Sequence, residues 1–294
     1  MTLSDFKTKT HGKWILAGEH AVLRGHGALV FPVLEKHLTL EYRPTGSAPT
    51  VEYQGIDGQN ADQLFKRILK HGANLLKCPD QNITGHFIIN NTIPIGFGMG
   101  ASAALCVAIA RWFEAQLLLN TIPVEHFAKE LEHLFHGQSS GLDIVGVAAN
   151  QGMHFNQGHA KPITQNWRPH WYLSSCEQVG VTSTCIDKVQ SRWSDTPEVA
   201  RNIDMSMASA VELSEAALQD TSNEGLAMLA QSINSACDCF KNWGLVNEPL
   251  KHHMNQLQRA GAIAVKPTGS GLGGFVLSLW DKPANGLVDH LISI

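Results

Sequence analysis

The sequence predicts a mixed α/β chain of two domains. Three observations carry that expectation: strand-like and helix-like segments alternate along the chain, a polar interruption divides them, and the chain is long enough for two cores. Its 294 residues compare with roughly 150 per domain. Hydrophobic residues make up 44% and charged residues 16%, a balance that lets burial offset the ordering entropy of a folded chain.

The elements follow in order. Residues 13–43, KWILAGEHAVLRGHGALVFPVLEKHLTLEYR, alternate apolar runs with glycine turns and predict strands and tight loops. Leu64, Ile68, Leu75 and Leu76 give residues 60–77 an apolar helical face, and HFIINN predicts a strand. IPIGFGMGASAALCVAIARWFEAQLLLN predicts a glycine loop at 96–100 running into a helix that begins near Ser102 and ends near Asn120 and Pro123. VEHFAKELEHLFHG predicts a helix at 124–136 with Gly137 as its C-cap, and SSGLDIVGVAANQG a third short helix or turn. Asn, Gly, Pro and Trp crowd residues 155–175, which mark a domain crossover. Helical patterns dominate 196–260, and AIAVKPTGSGLGGFVLSLW returns to strand around a second glycine loop. The domains are placed at 1–162 and 163–294.

Composition excludes several classes of function. Lysine and arginine total 22 against 26 acids, a net charge of -4, which provides no field to hold a nucleic acid. The N-terminal residues lack a secretory pattern and no apolar run approaches the roughly 20 residues of a membrane span, so a cytoplasmic location without membrane attachment is expected. Six scattered cysteines do not make a disulfide framework; Cys237 and Cys239 are two residues apart in a helical stretch and point to different faces. His126, His133 and His136 recur at helical spacing, but no further ligands complete a zinc site around them.

The chemical signal is densest in GFGMGASAA. Gly96, Gly98 and Gly100 leave backbone amides unshielded, and the helix that follows adds free N–H groups and a partial positive charge, which together favour a phosphate. The loop is not a GxxxxGK phosphate loop, and its loose GxGxxA match lacks the strand and acid of a dinucleotide fingerprint. Ser102 and Glu132 offer the hard oxygen ligands Mg²⁺ prefers. Taken alone, Ser102 also fits a helix cap and Glu132 a solvated helix residue. Asp143, in the polar turn HGQSSGLD, could accept a proton or simply cap a helix. Lys13 stands where a strand begins, and Glu19 and His20 at a strand end.

In their joint order, KWILAGEHAV, PIGFGMGASAA, ELEHLFHGQSSGLD and KPTGSGLGG resemble the GHMP family of small-molecule kinases over positions 12 to 274. The wording GEHAV and HGxxSGxD is most similar to the branch of that family acting on mevalonate. The resemblance implies a two-lobed α/β (α+β) fold, with an N-terminal lobe like ribosomal protein S5 domain 2 and a ferredoxin-like C-terminal lobe. It implies ATP and Mg²⁺ as cofactors, mevalonate as the small-molecule partner and its C5 hydroxyl as phosphoryl acceptor. A homodimer is compatible with it.

Residue by residue, the family pattern PxGxGLGSSAA implies phosphate contacts at Gly96, Gly98, Met99, Gly100, Ala101, Ser102 and Ala103, with Ala101 and Met99 departing from its serine and leucine. Ser102 and Glu132, the latter eleven residues before Asp143, are the implied metal ligands. Asp143 is the implied proton acceptor, with Lys13 beside it; His11 replaces a proline in that motif. Glu19, His20 and Thr184 are implied on the substrate side, and Gly269, Ser270 and Gly271 in the second glycine loop. Cys185 stands where the family has a cation, which weakens mevalonate as the acceptor. The alternatives are phosphomevalonate, a sugar or homoserine as acceptor, or a non-catalytic nucleotide-binding relative. Galactokinases generally have GEHTD where this chain has GEHAV.

Overall fold

The computed structural model describes every residue except 1–3, 57, 79–82, 137, 138, 285 and 287, and no side chain at 58–61 or 136. The expected C-cap Gly137 and the side chain of His136 therefore lie outside the described residues. In chain order the elements are β1 (Phe6–Ala17), a 3-10 turn (His20–Arg24), β2 (Ala28–Arg43), β3 (Thr50–Gly55), α1 (Gly58–Leu75), β4 (His86–Asn91), α2 (Ala101–Ala115), α3 (Val124–His136), α4 (Leu142–Ala148), β5 (Met153–Asn156), β6 (His159–Pro162), β7 (His170–Ser175), α5 (Thr182–Asp195), α6 (Pro197–Gln219), α7 (Asn223–Asn242), α8 (Glu248–Arg259), β8 (Ala264–Thr268), β9 (Phe275–Trp280) and β10 (Ile292–Ser293).

Two compact units are formed, and neither is one stretch of chain. The first contains residues 1–13, 32–95 and 100–150; the second contains 14–31, 96–99 and 151–294. The sequence divides the chain at 162, whereas these units part at 150 and exchange two short segments.

In the first unit, β4 pairs antiparallel with β2 and parallel with β3. The alternation in HFIINN places Phe87, Ile89 and Asn91 inside. α2 is apolar on all sides, and from Ala103 to Ala110 every side chain is buried, as a helix without a polar face requires. It packs against α1, α3 and α4. Tyr42, Phe65, Phe87, Trp112, Phe113 and Phe127 form a chain of ring contacts in this core. α2 stops at Ala115, short of the expected Asn120, because Leu117 and Asn120 take left-handed φ values of 57° and 52°. β1 begins at Phe6, so Lys13 lies well inside a strand rather than at its start.

In the second unit, β10, β7, β9 and β8 form an antiparallel sheet in that order. Residues 28–30 of β2 pair with β5, which pairs with β6. The expected crossover at 155–175 thus holds β6 and β7. Leu250, Met254 and Leu257 of α8 pack with Val265, Val276 and Trp280 of the sheet. Each such burial contributes about 1.5–3 kcal/mol. Ser222 and Asn247 cap α7 and α8 by accepting from Glu224 and Leu250 backbone N–H groups.

Candidate active site

The first unit gathers Lys13, Ser102, Glu132 and Asp143. Lys13 comes from β1 and is 3% exposed; its Nζ lies 2.9 Å from Asp143 Oδ1, whose side chain is 34% exposed. Asp143 occupies the first turn of α4. The lysine stem runs directly under the start of α2: a Cβ built on Gly100 would stand 2.9 Å from Lys13 Cγ and 3.0 Å from Val147 Cγ1. Gly100 has φ +79°, so both its conformation and its surroundings require glycine. The first α-helical hydrogen bond of α2 runs from Ala104 N to Gly100 O, which leaves the N–H groups of Ala101, Ser102 and Ala103 outside the helical ladder. The side chains of Met99 and Ala103 are buried, so any contact of theirs to a ligand is made by backbone.

Glu132 lies on the buried face of α3 with Phe127, Ala128 and Leu131, and is 1% exposed. The solvated-residue reading of it is therefore corrected. Burial, and then the charge of Asp143, push its carboxyl up to about 7, against the opposing effects of the Ser139 hydroxyl, Lys13 and Lys129. Ser139 Oγ donates to Glu132 Oε2 and accepts from Gly141 N at 3.1 Å, tying the carboxylate to the turn that carries Asp143. Among the described residues, Glu132 Oε1 is buried without a hydrogen-bond partner. Cys106, one helical turn after Ser102 and on the same face of α2, has its thiol pushed well up by burial and by the Glu132 charge. Ser102 thus shares the face of α2 on which Cys106 feels the charge of Glu132. An orphaned carboxylate oxygen, a serine and a second carboxylate nearby are a donor set that fits a hard divalent cation. No cluster of three or more His, Cys, Asp or Glu able to hold a metal exists among the described residues. His133 pairs with Glu130 at 3.5 Å.

The second unit holds the remaining expected residues. Glu19 and His20 are both buried. Glu19 Oε1 is ion-paired with Lys266 Nζ, which also donates to Ile15 O at 3.2 Å and lies 5.3 Å over the Phe240 ring. His20 Nε2 lies 2.8 Å from Ser270 O, with the ring edge-on to Trp243, and burial pushes its pKa down to about 4. Thr268 Oγ1 accepts from Ile15 N at 2.8 Å and donates to Ile15 O at 3.0 Å. Lys266, Thr268 and Ser270, every second residue, therefore each bind residues 15–20. Gly269 and Gly271 take φ of +91° and +93° in the loop that follows. Thr184 is exposed in the first turn of α5, while Thr182 and Cys185 reach the loop at Ser270 and Gly271 O.

Two residues escaped sequence reasoning. Lys266 stands in the quoted KPTGSGLGG, and a lysine among apolar strand residues was the available signal. Ser139 was legible as a hydroxyl in a turn, with no spacing that points to Glu132.

Residues 63–151 match the family model of the GHMP kinases N terminal domain. The chain carries a GHMP kinase N-terminal domain. Among relatives, it is 25% identical to the mevalonate kinase of Pyrococcus horikoshii and 26% identical to that of Pyrococcus abyssi; each alignment covers 91% of this chain and 86% of the relative. Among solved structures, the L. major mevalonate kinase in complex with R-mevalonate superposes with a TM-score of 0.79 at 23% identity, covering 96% of this chain and 89% of that one. The mixed α/β architecture is thus the GHMP kinase fold. No helix among the described residues is long and apolar enough to cross a membrane.

Proposed function

We propose that this GHMP kinase transfers the γ-phosphoryl of ATP to the C5 hydroxyl of mevalonate, giving 5-phosphomevalonate and ADP. The Lys13–Asp143 ion pair carries the reading, because it stands against the start of α2 where free N–H groups suit a phosphate. Support for the acceptor comes from the mevalonate kinases aligned over nine-tenths of the chain.

Phosphoryl transfer proceeds through a loose transition state that asks for alignment and charge neutralisation more than for a strong base. Asp143 accepts the proton of the attacking hydroxyl. Lys13, already 2.9 Å from that carboxylate, offsets negative charge on the phosphoryl group in flight. The backbone of Gly96, Gly98, Met99, Gly100, Ala101, Ser102 and Ala103 holds the phosphates, with Gly269, Ser270 and Gly271 as a second phosphate-side loop. Ser102 and Glu132 would hold Mg²⁺, which when bound supplies charge neutralisation to the phosphate oxygens. Glu19 and His20 are assigned to shaping the acceptor side, and Thr184 to a hydrogen bond with the acceptor. A cytoplasmic location remains part of this reading.

One observation favours a second acceptor. Cys185 is buried with its thiol directed at Gly271 O, so that position presents no cation to an acidic substrate. Purified protein with ATP and Mg²⁺ should release ADP on adding (R)-mevalonate. A panel including phosphomevalonate, galactose and homoserine decides the acceptor, and turnover of one of these with none of mevalonate reassigns it. Asp143→Asn should lower kcat by 10²-fold or more while ATP still binds; unchanged turnover removes Asp143 from the mechanism.

A further inference from the structure

Segment 176–181 packs backbone against backbone on the glycine loop at 269–274 of the second unit, and its Val179 side chain reaches Gly96 in the other glycine loop. Gly274 N donates to Gln178 O at 2.7 Å, and Cys176 N donates to Gly274 O at 3.0 Å. Asn247 Nδ2 donates to Gln178 Oε1 at 3.2 Å and to Leu272 O at 3.1 Å, fastening the same pair of segments from α8. On its other side the loop meets residues 96–99: a Cβ on Gly274 would fall 2.7 Å from Phe97 O, one on Gly269 3.5 Å from Gly98 O, and one on Gly96 3.4 Å from a Val179 methyl.

Gly180 is the tightest point of this junction. A Cβ there would lie 2.5 Å from Gly271 O, and one on the facing Gly273 would lie 2.7 Å from Gly180 N. Gly180 itself is not among the residues with positive φ, and the neighbour that an added Cβ would meet too closely is Gly271 O. Ordinary carbon contacts begin at 3.4 Å, so the two segments would have to part by about 0.9 Å.

We propose that Gly180 is a positioning residue, and segment 176–181 a strut, that set the spacing of loops 96–99 and 269–274 and so the fit of the nucleotide's phosphates. This rests on the reading of both loops as phosphate-binding. A displacement near 1 Å in a site of this kind is felt as a loss of up to 10²-fold.

The test is calorimetric titration with MgATP in the absence of acceptor, followed by steady-state kinetics. Gly180→Ala should weaken ATP at least 10-fold and leave KM for the acceptor within 2-fold. Gly46→Ala, at a position with nothing within 4 Å among the described residues, should match the unmodified protein. Equal ATP affinity in Gly180→Ala, or equal losses for ATP and acceptor accompanied by a lower Tm, overturns the proposal. If Gly180→Ala does not fold, Asn247→Asp decides: it keeps the oxygen that caps α8 but removes the donor to Gln178 and Leu272. A 3-fold or greater loss of ATP affinity at unchanged Tm supports the strut, and unchanged affinity overturns it. The kinase reading fails separately, if the unmodified protein binds ATP but phosphorylates no alcohol; absence of ATP binding to the unmodified protein overturns both.

Discussion

Replacing Lys266 with methionine removes the cation from one of the most enclosed ion pairs in the chain. The side chains of Lys266 and Glu19 are 0% and 2% exposed, so water cannot take over the lysine's role toward the Glu19 carboxylate. Removing one partner of a buried pair typically costs about 3–5 kcal/mol, whereas replacing both by neutral groups of similar volume is often nearly neutral. Lys266→Met should therefore lower unfolding free energy by about 3–5 kcal/mol. With an unfolding entropy of about 2.1 cal/mol/K per residue over 294 residues, melting as one unit would bring Tm down by about 5–8 °C. Glu19→Gln combined with Lys266→Met should recover most of the loss. Urea unfolding of the single and double variants is the assay. A single variant within about 1 kcal/mol of the parent, or a double variant no more stable than the single, would refute the reasoning that the carboxylate depends on this lysine.

Other outcomes follow from the site. Glu132→Gln should raise the Mg²⁺ concentration needed for half-maximal activity at least 10-fold, read from ADP release; an unchanged requirement would remove Glu132 as a ligand. Without Mg²⁺, the raised Glu132 pKa makes the native state hold a proton the unfolded chain has lost, so this group's contribution to stability falls as pH rises from 4.5 to about 7, by about 3 kcal/mol at most. Glu132→Gln should abolish that slope in urea titrations at several pH values. His20 acts in the opposite sense: its lowered pKa keeps it neutral when folded, so its contribution is complete above 6.5 and lost as pH falls toward about 4, again by about 3 kcal/mol; His20→Asn should flatten the acid limb. Ser139→Ala should lower Mn²⁺ affinity measured by calorimetry several-fold, because it frees Glu132 from the turn that carries Asp143. Affinity equal to the parent would make Ser139 a turn residue only.

The ordered motifs single out Lys13, Glu132 and Asp143, and the structure places Lys13 against Asp143 with both charges acting on Glu132; no local feature distinguishes Glu132 from a surface acid except that it follows Leu131 on the apolar stripe of α3. α5 was missed because TSTCIDKVQSRWSD buries only Cys185 and Val189, too sparse a stripe to register as a helical face. The end of α2 was misplaced because LLLN continues an apolar run, and only the backbone of Leu117 ends the helix. The two units could not be read along the chain, since residues 14–31 and 96–99 join the second by long-range pairing, as between Ile15 and Thr268.

Glu132 and Asp143, the two carboxylates of the candidate site, are sorted by their surroundings rather than by their identity. Asp143 has a third of its side chain in solvent and a lysine in contact, so it can meet an incoming hydroxyl. Glu132 is enclosed, its carboxyl is raised by burial and by the neighbouring charge, and one oxygen is already held by Ser139. A group so placed is poorly suited to collect a proton from a substrate and well suited to give up its own proton to a cation that satisfies its remaining oxygen. Opposed environments for adjacent acids are how one site divides acid–base work from charge binding. That division makes a concrete demand on the pH profile. Without metal, Glu132 ionises near 7; bound Mg²⁺ must move that ionisation to lower pH, because the cation binds only the carboxylate. Raising Mg²⁺ should therefore shift the midpoint of a Glu132-dependent ¹³C carboxyl resonance downward, while Asp143→Asn, by removing the repelling neighbour, should lower it even in metal-free protein. A resonance insensitive to both would show that Glu132 neither faces Asp143 nor receives the metal.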